Sequence, residues 1–282
     1  MAGAAPPRAP LPGQSPSPAP LPAVILHAGF HKTGTSSVQR MLAAARAPLA
    51  PCLRILLKSD MEALTVATRA HADAPTPESL AEVLDAARAR FATLDPADPR
   101  PLLLSCEDLS GLIPGRNRRR GYPEAPALLT ALAQGLVQAW GALPPLTLYF
   151  STRAAEDWIR SCHDHHLRVT RYTRAFGPYA EGQRPRADLE ALARKIGAAL
   201  PEARLVTHAL EDCAGLPHGP LTPLLDLADI PEELRQQIPL LPPANVGLPA
   251  LSEQLLALNR GPLDREALKA AKKALIRKAR QG

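Results

Sequence analysis

Ala23-Val24-Ile25-Leu26-His27, followed at once by Ala28-Gly29-Phe30-His31-Lys32-Thr33-Gly34-Thr35-Ser36-Ser37, is the stretch on which the reading of this chain turns. Its first half is a short apolar run closed by Gly29, the pattern of a buried strand. Its second half is a Gly- and Thr-rich turn, and a helix follows with Val38, Met41 and Leu42 on one face. Strand, turn and helix N-terminus in that order make an anion site. Unpaired backbone N–H groups point outward, and the helix dipole adds roughly half a positive charge. Glycines let the main chain curl where a Cβ would clash, and the hydroxyls of Thr33, Thr35, Ser36 and Ser37 add donors.

Outward from this segment the same alternation repeats. Apolar strands are expected at 102–105, at 146–150 with Ser151-Thr152-Arg153 after it, and at 204–207. Helices are expected at 76–91, 126–141, 156–170 and 187–200. In the first, Thr76 is placed to cap, Pro77 suits the first turn, and Leu80, Val83, Leu84, Ala87 and Phe91 share a face. Strands apolar on both faces, separated by helices, predict an α/β fold of three layers with a central, mostly parallel sheet. Beyond 220 the chain reads as helical, broken at Pro239, Pro242-Pro243 and Pro249. The last helix, from about Asp264, sets Leu268, Ala271, Leu275 and Ala279 against a face of Lys269, Lys272, Lys273, Arg277, Lys278 and Arg280.

The 282 residues are 46% hydrophobic, 21% charged and 4% aromatic, which excludes a chain disordered throughout and supplies one sizeable core. Eight of the 32 prolines lie in the first 22 residues, so 1–21 reads as a disordered Pro/Ala-rich arm and 22–282 as a single domain. A net charge of +6 favours anionic partners without choosing among them. Cys52, Cys106, Cys162 and Cys213 are scattered, with no C-x-x-C pair, which argues against a metal or redox motif and for a reducing compartment. No run approaches the ~20 apolar residues of a membrane span. The expectation is a cytoplasmic protein with no transmembrane segment and no metal.

Gly29 and Gly34 have the separation of the nucleotide P-loop G-x-x-x-x-G-K-[ST], and Ser36 matches its last position, but Thr35 stands where its Lys belongs. The lysine here is Lys32, near the loop's start. Such a loop suits one terminal phosphate with a transferable group better than a triphosphate with Mg²⁺. His27 to Ser37 resembles the 5′-phosphosulfate loop H-x-G-x-x-K-T-G-T-[ST]-S of the bacterial type of sulfotransferase. That resemblance implies a P-loop NTPase-like fold and 3′-phosphoadenosine 5′-phosphosulfate (PAPS) as donor. It gives Lys32 the leaving-group role and Gly34, Thr35, Ser36 and Ser37 the 5′-phosphate, with His31 and Thr33 beside them.

The family's second signature is a strand ending in Arg with a Ser eight residues on, together holding the 3′-phosphate. Arg153 and Ser161 have that spacing, and an Arg fork suits a phosphate. The chain departs at Ala154-Ala155, where many relatives have a polar residue and Pro, and it lacks the Arg-Lys-Gly loop of cytosolic relatives. The likeness continues more softly through the late strand and Pro242-Pro243-Ala244-Asn245, covering about residues 23–260. It implies an acceptor such as an acidic polysaccharide or glycolipid as the second substrate, and no nucleic acid.

Sulfuryl transfer needs a base for the acceptor proton. Glu107, directly after the 102–105 strand, is the first candidate and Asp108 the second, with His31 and His163 also open. His163, His165 and His166 follow Ser161, and His163 and His166 share a helix face. Arg116, Arg118, Arg119 and Arg120 form a dense cation cluster that an acidic acceptor would explain, as would a solvated loop. Trp140 and Trp158 read as core. Two other functions fit parts of this pattern: a kinase or ATPase with an altered P-loop, its Glu107 or Asp108 on Mg²⁺, and a non-catalytic anion-binding protein.

Overall fold

Apolar runs with nothing polar on either side have to be covered on both faces, and the computed structural model covers them with helices. It describes residues 20–116, 119–242 and 251–281. In chain order the elements are β1 (Val24–His27), α1 (Thr35–Ala44), α2 (Arg46–Leu49), β2 (Arg54–Leu57), α3 (Glu62–Asp73), α4 (Pro77–Ala92), β3 (Leu102–Ser105) and α5 (Ala125–Trp140). Then come β4 (Leu146–Thr152), α6 (Ala155–Val169), α7 (Phe176–Gln183), α8 (Leu189–Ala199), β5 (Arg204–Ala209), α9 (Thr222–Leu227), α10 (Glu232–Arg235), α11 (Ser252–Arg260) and α12 (Arg265–Gln281). The strands form one sheet in the order β2-β3-β1-β4-β5, and every pair is parallel. The α/β three-layer expectation holds.

Four of these strands were expected; β2 was not. Arg54-Ile55-Leu56-Leu57 is a four-residue edge strand that opens on a charged residue and is followed by Lys58-Ser59-Asp60, so its apolar run is too short to announce itself. The helices given ranges, α4, α5, α6 and α8, match them to within about two residues, while α2, α3 and α7 were not expected. Thr76 caps α4 as read, its Oγ1 accepting from the Ser79 N–H at 3.1 Å.

Side-chain alternation splits the core in two. Val24, Leu26, Leu102, Leu104, Leu146, Leu148 and Phe150 face α4, α5, α6 and α8. Ile25, Ile55, Leu57, Leu103 and Tyr149 face α1, α2 and α9. On the first face α4 and α5 come into close contact at Gly135, where a Cβ would lie 2.6 Å from that of Ala87. Leu21, assigned to the arm by sequence, packs against this core; residues 1–19 of the arm lie outside the described residues, as do Arg118 and the 243–250 part of the proline-rich turn.

A third cluster docks α11 and α12 onto α6 through Leu167, Leu251, Leu255, Leu275 and Ile276. Here Lys272 corrects the sequence reading, which put it on the cationic face opposite Leu268, Ala271, Leu275 and Ala279. It is 5% exposed, and its Nζ donates to the carbonyls of Leu167 and Thr170 at 2.6 Å each. A lysine at a helix C-terminus has unpaired carbonyls within reach, and its long stem can be buried on the way.

Candidate functional site

From β1 the chain runs outward to β2, returns to β3, then passes to β4 on the other side of β1. The carboxyl ends of β1, β3 and β4 therefore meet at the reversal of strand order, where open α/β sheets bind ligands.

A chain of buried polar groups fixes the loop after β1 to those strand ends. Thr33 Oγ1 donates to the Phe30 carbonyl at 2.6 Å, so it accepts from Ser151 Oγ on β4 at 2.8 Å. Ser151 in turn accepts from His27 Nε2 at 3.5 Å, and His27 Nδ1 accepts from Ser105 Oγ on β3 at 2.8 Å. Burial lowers the His27 pKa to about 4 against a smaller opposing pull from Glu107, so the ring is neutral, as this chain of donors requires. Thr33, read from sequence as a ligand donor, is fully buried and serves this tether instead.

The loop's carbonyls are taken by side chains from behind. Trp158 Nε1 donates to the His31 carbonyl at 3.0 Å and Arg153 Nη1 to that of Lys32 at 3.2 Å, while Thr33 holds that of Phe30. Trp158 is core, as expected, and also a loop clamp. The amide N–H groups of Gly34, Thr35 and Ser36 pair with no acceptor among the described residues, as the first turn of a helix leaves them. Acceptors face inward and donors outward. Gly34 is needed at the corner: its φ is 91°, and a Cβ there would sit 2.7 Å from Leu210 Cδ1.

These elements wall a cleft of about 1130 Å³. His31, Lys32 and residues 34–37 line it from the loop, Glu107 from the end of β3, Arg153 from the end of β4 and Ser161 from α6. Of the predicted donor-binding residues only Thr33 is not on its wall, and of the base candidates Asp108 and His163 are not. Burial, and then the neighbouring charge of Arg168, lower the Lys32 pKa, partly offset by Glu107. Glu107 Oε2 accepts from Gln39 Nε2 at 2.6 Å, which orients the carboxylate.

The other base candidates are engaged elsewhere. Asp108 is 6% exposed, with Lys58 Nζ at 2.5 Å, Arg69 at 3.6 Å and His31 Nε2 at 3.5 Å. Burial alone would raise its pKa, but hydrogen bonds from His31 and Lys58 outweigh it and hold the carboxyl at about 2. Tyr122 Oη accepts the His31 backbone N–H at 3.0 Å and meets Nδ1 at 3.1 Å, so both ring nitrogens of His31 have partners. His163 Nε2 donates to the Arg174 carbonyl at 2.9 Å and His166 Nε2 to that of Pro114 at 2.6 Å, away from the cleft.

Of the three α6 histidines, His165 is the one that lines the cleft, in company with Asp157, Asp164 and Arg168. Sequence reasoning named His165 among three histidines without singling it out, and missed Asp157, Asp164 and Arg168. The signal was available: they lie three, four or seven residues from Ser161 and share its helix face. Arg119 pairs with Glu124 at 2.7 Å, and Arg116 and Arg120 are exposed; none of the three lines the cleft.

No known protein-family model matches this sequence, and no curated protein matches it.

Proposed function

We propose that this chain is a PAPS-dependent sulfotransferase that moves a sulfuryl group to a hydroxyl or amine acceptor, carbohydrate or lipid-linked, in the cytoplasm. The observation that carries this reading is the loop itself, whose carbonyls are bonded from behind while three amide donors and the Lys32 side chain border one cleft with Arg153 and Ser161. The unpaired amides suit the 5′-phosphate, and Lys32 the oxygen between phosphorus and sulfur. Arg153 spends one of five N–H donors on the loop; the others, with Ser161, suit the 3′-phosphate.

In the transfer, the acceptor oxygen or nitrogen forms a bond to sulfur as the bond from sulfur to the bridging oxygen breaks. The acceptor proton passes to Glu107, and the electron pair leaves with 3′-phosphoadenosine 5′-phosphate (PAP). Preorganised donors stabilise that growing charge without rearranging. All four cysteines are unpaired, in keeping with a reducing compartment. Two observations weigh against the kinase alternative: Thr35 occupies the P-loop Lys position, and Asp108 is committed to Lys58, Arg69 and His31.

Thermal shift separates the two. PAP is expected to raise the melting temperature and Mg·ATP to leave it unchanged; the opposite pattern rejects the sulfotransferase reading.

A further inference from the structure

Arg265, Lys269, Lys273 and Arg277 recur every fourth residue along α12. A helix rises 1.5 Å per residue, so this ridge places a cation about every 6 Å over about 18 Å. All four are exposed, and none is ion-paired with another described residue. They line a groove of about 1180 Å³ between α12 and the end of α6, whose far wall adds Arg168 and Arg171. Among the described residues that line it, only Asp264 and Glu266 oppose them. The ridge is held in place, because Lys272 ties α12 to the Leu167 and Thr170 carbonyls at the end of α6.

The groove adjoins the cleft across a shared wall. Arg168, Val169 and Ile276 line both. Evenly spaced cations call for evenly spaced anions, which a repeating polymer supplies and a single small anion does not. The floor, with Val169, Leu263 and Ile276, offers apolar contact but no aromatic ring, so it lacks the stacking platforms on which single-stranded nucleic acid depends. The cations rim a concavity, which a linear chain can enter and a membrane surface cannot.

We infer that this groove binds a linear acidic polysaccharide and delivers it to the cleft as the acceptor. The chain lies along α12 with its anionic groups against Arg265, Lys269, Lys273 and Arg277, passes Arg168, and presents one hydroxyl or amine beside Glu107. The acceptor role rests on the sulfotransferase reading; the groove's occupancy is measured independently of it.

The test uses the full chain, size-defined dextran sulfate as the polyanion and uncharged dextran as its control. Wild type is expected to bind dextran sulfate in a salt-sensitive manner, and Lys269→Glu/Lys273→Glu/Arg277→Glu to bind it at least tenfold more weakly with an unchanged thermal response to PAP. A second triple reversal on α8 and β5, Arg194→Glu/Lys195→Glu/Arg204→Glu, makes the same change in net charge and is expected to stay within about twofold of wild type. Equal losses in the two variants, or no loss in the first, overturn the groove. So does wild-type binding of phosphatidylserine vesicles or oligothymidylate as tight as that of dextran sulfate. A wild type that binds dextran sulfate but ignores PAP counts against the donor assignment and not against the groove, so the two can fail separately.

Discussion

Arg153 Nη1 donates to the carbonyl oxygen of Lys32 at 3.2 Å. The side chain proposed for one end of the donor therefore also braces the loop proposed for the other. A ligand held at both ends would couple two regions that already touch.

Replacing Arg153 by Ala removes a charge-assisted contact to phosphate and the brace together. Hydrogen bonds to charged groups contribute about 1.5–3 kcal/mol, so PAP affinity should fall about 10- to 100-fold by calorimetry. Arg153→Lys should recover little of it, since an ammonium is a point charge without the planar fork. Unchanged affinity in Arg153→Ala would remove the 3′-phosphate assignment.

Lys32→Ala should behave differently. Its ammonium is proposed to act on charge that develops only as the sulfuryl group leaves, so kcat should drop by about 10²–10³ while PAP affinity moves only a few-fold. A variant that loses affinity and keeps kcat would mean that Lys32 merely binds.

The two adjacent carboxylates should separate by readout. Glu107→Gln should lower kcat by about 10²–10⁴ with little change in melting temperature. Asp108→Asn should cost stability, because it leaves Lys58, Arg69 and His31 without their common anion. The Asp108 pKa is depressed, so its stabilising effect is complete above the unfolded value near 4 and disappears as pH falls toward about 2. Wild type and Asp108→Asn should therefore converge in urea midpoint across that window; a gap constant down to pH 2 would contradict the ion network.

Three histidines make the fold sensitive to mild acid. Burial, the leading cause in each, lowers the pKa of His27 to about 4, of His165 to about 3 and of His166 to about 4. Below pH 6.5 the unfolded chain takes up protons that these rings refuse, so stability is complete above 6.5 and declines toward pH 4. Each contributes a slope of about 1.4 kcal/mol per pH unit. His27→Gln should reduce the slope by one such increment in urea titrations at pH 7, 6 and 5, and parallel slopes for variant and wild type would refute the buried neutral ring.

Much of this was legible in the sequence because it rests on local pattern. The strand–turn–helix run from Ala23 and the apolar triplets of β3 and β4 announce their elements within a few residues, and the Arg153–Ser161 spacing announces two residues that line one cleft. What was not legible depends on which way a side chain turns once helices pack. Nothing near Thr33 says that its hydroxyl bonds inward to Ser151, 118 positions later. His163, His165 and His166 are alike on paper, and only the docking of α6 selects His165 for the cleft. Lys272 looks like its neighbours Lys269 and Lys273 until α12 lies across the last turn of α6. β2 was missed because four residues at a sheet edge carry too little periodicity.

The run of hydroxyls and imidazole from Ser105 through His27 and Ser151 to Thr33 has a consequence for how such a protein can change. The path of the loop is written into the interior of the sheet. Ser36, half-buried on the cleft wall, can thus be exchanged to retune what is recognised while the curve beneath it stays as it is. Alterations at His27 or Ser151, invisible from the surface, should by contrast undo the whole contour at once.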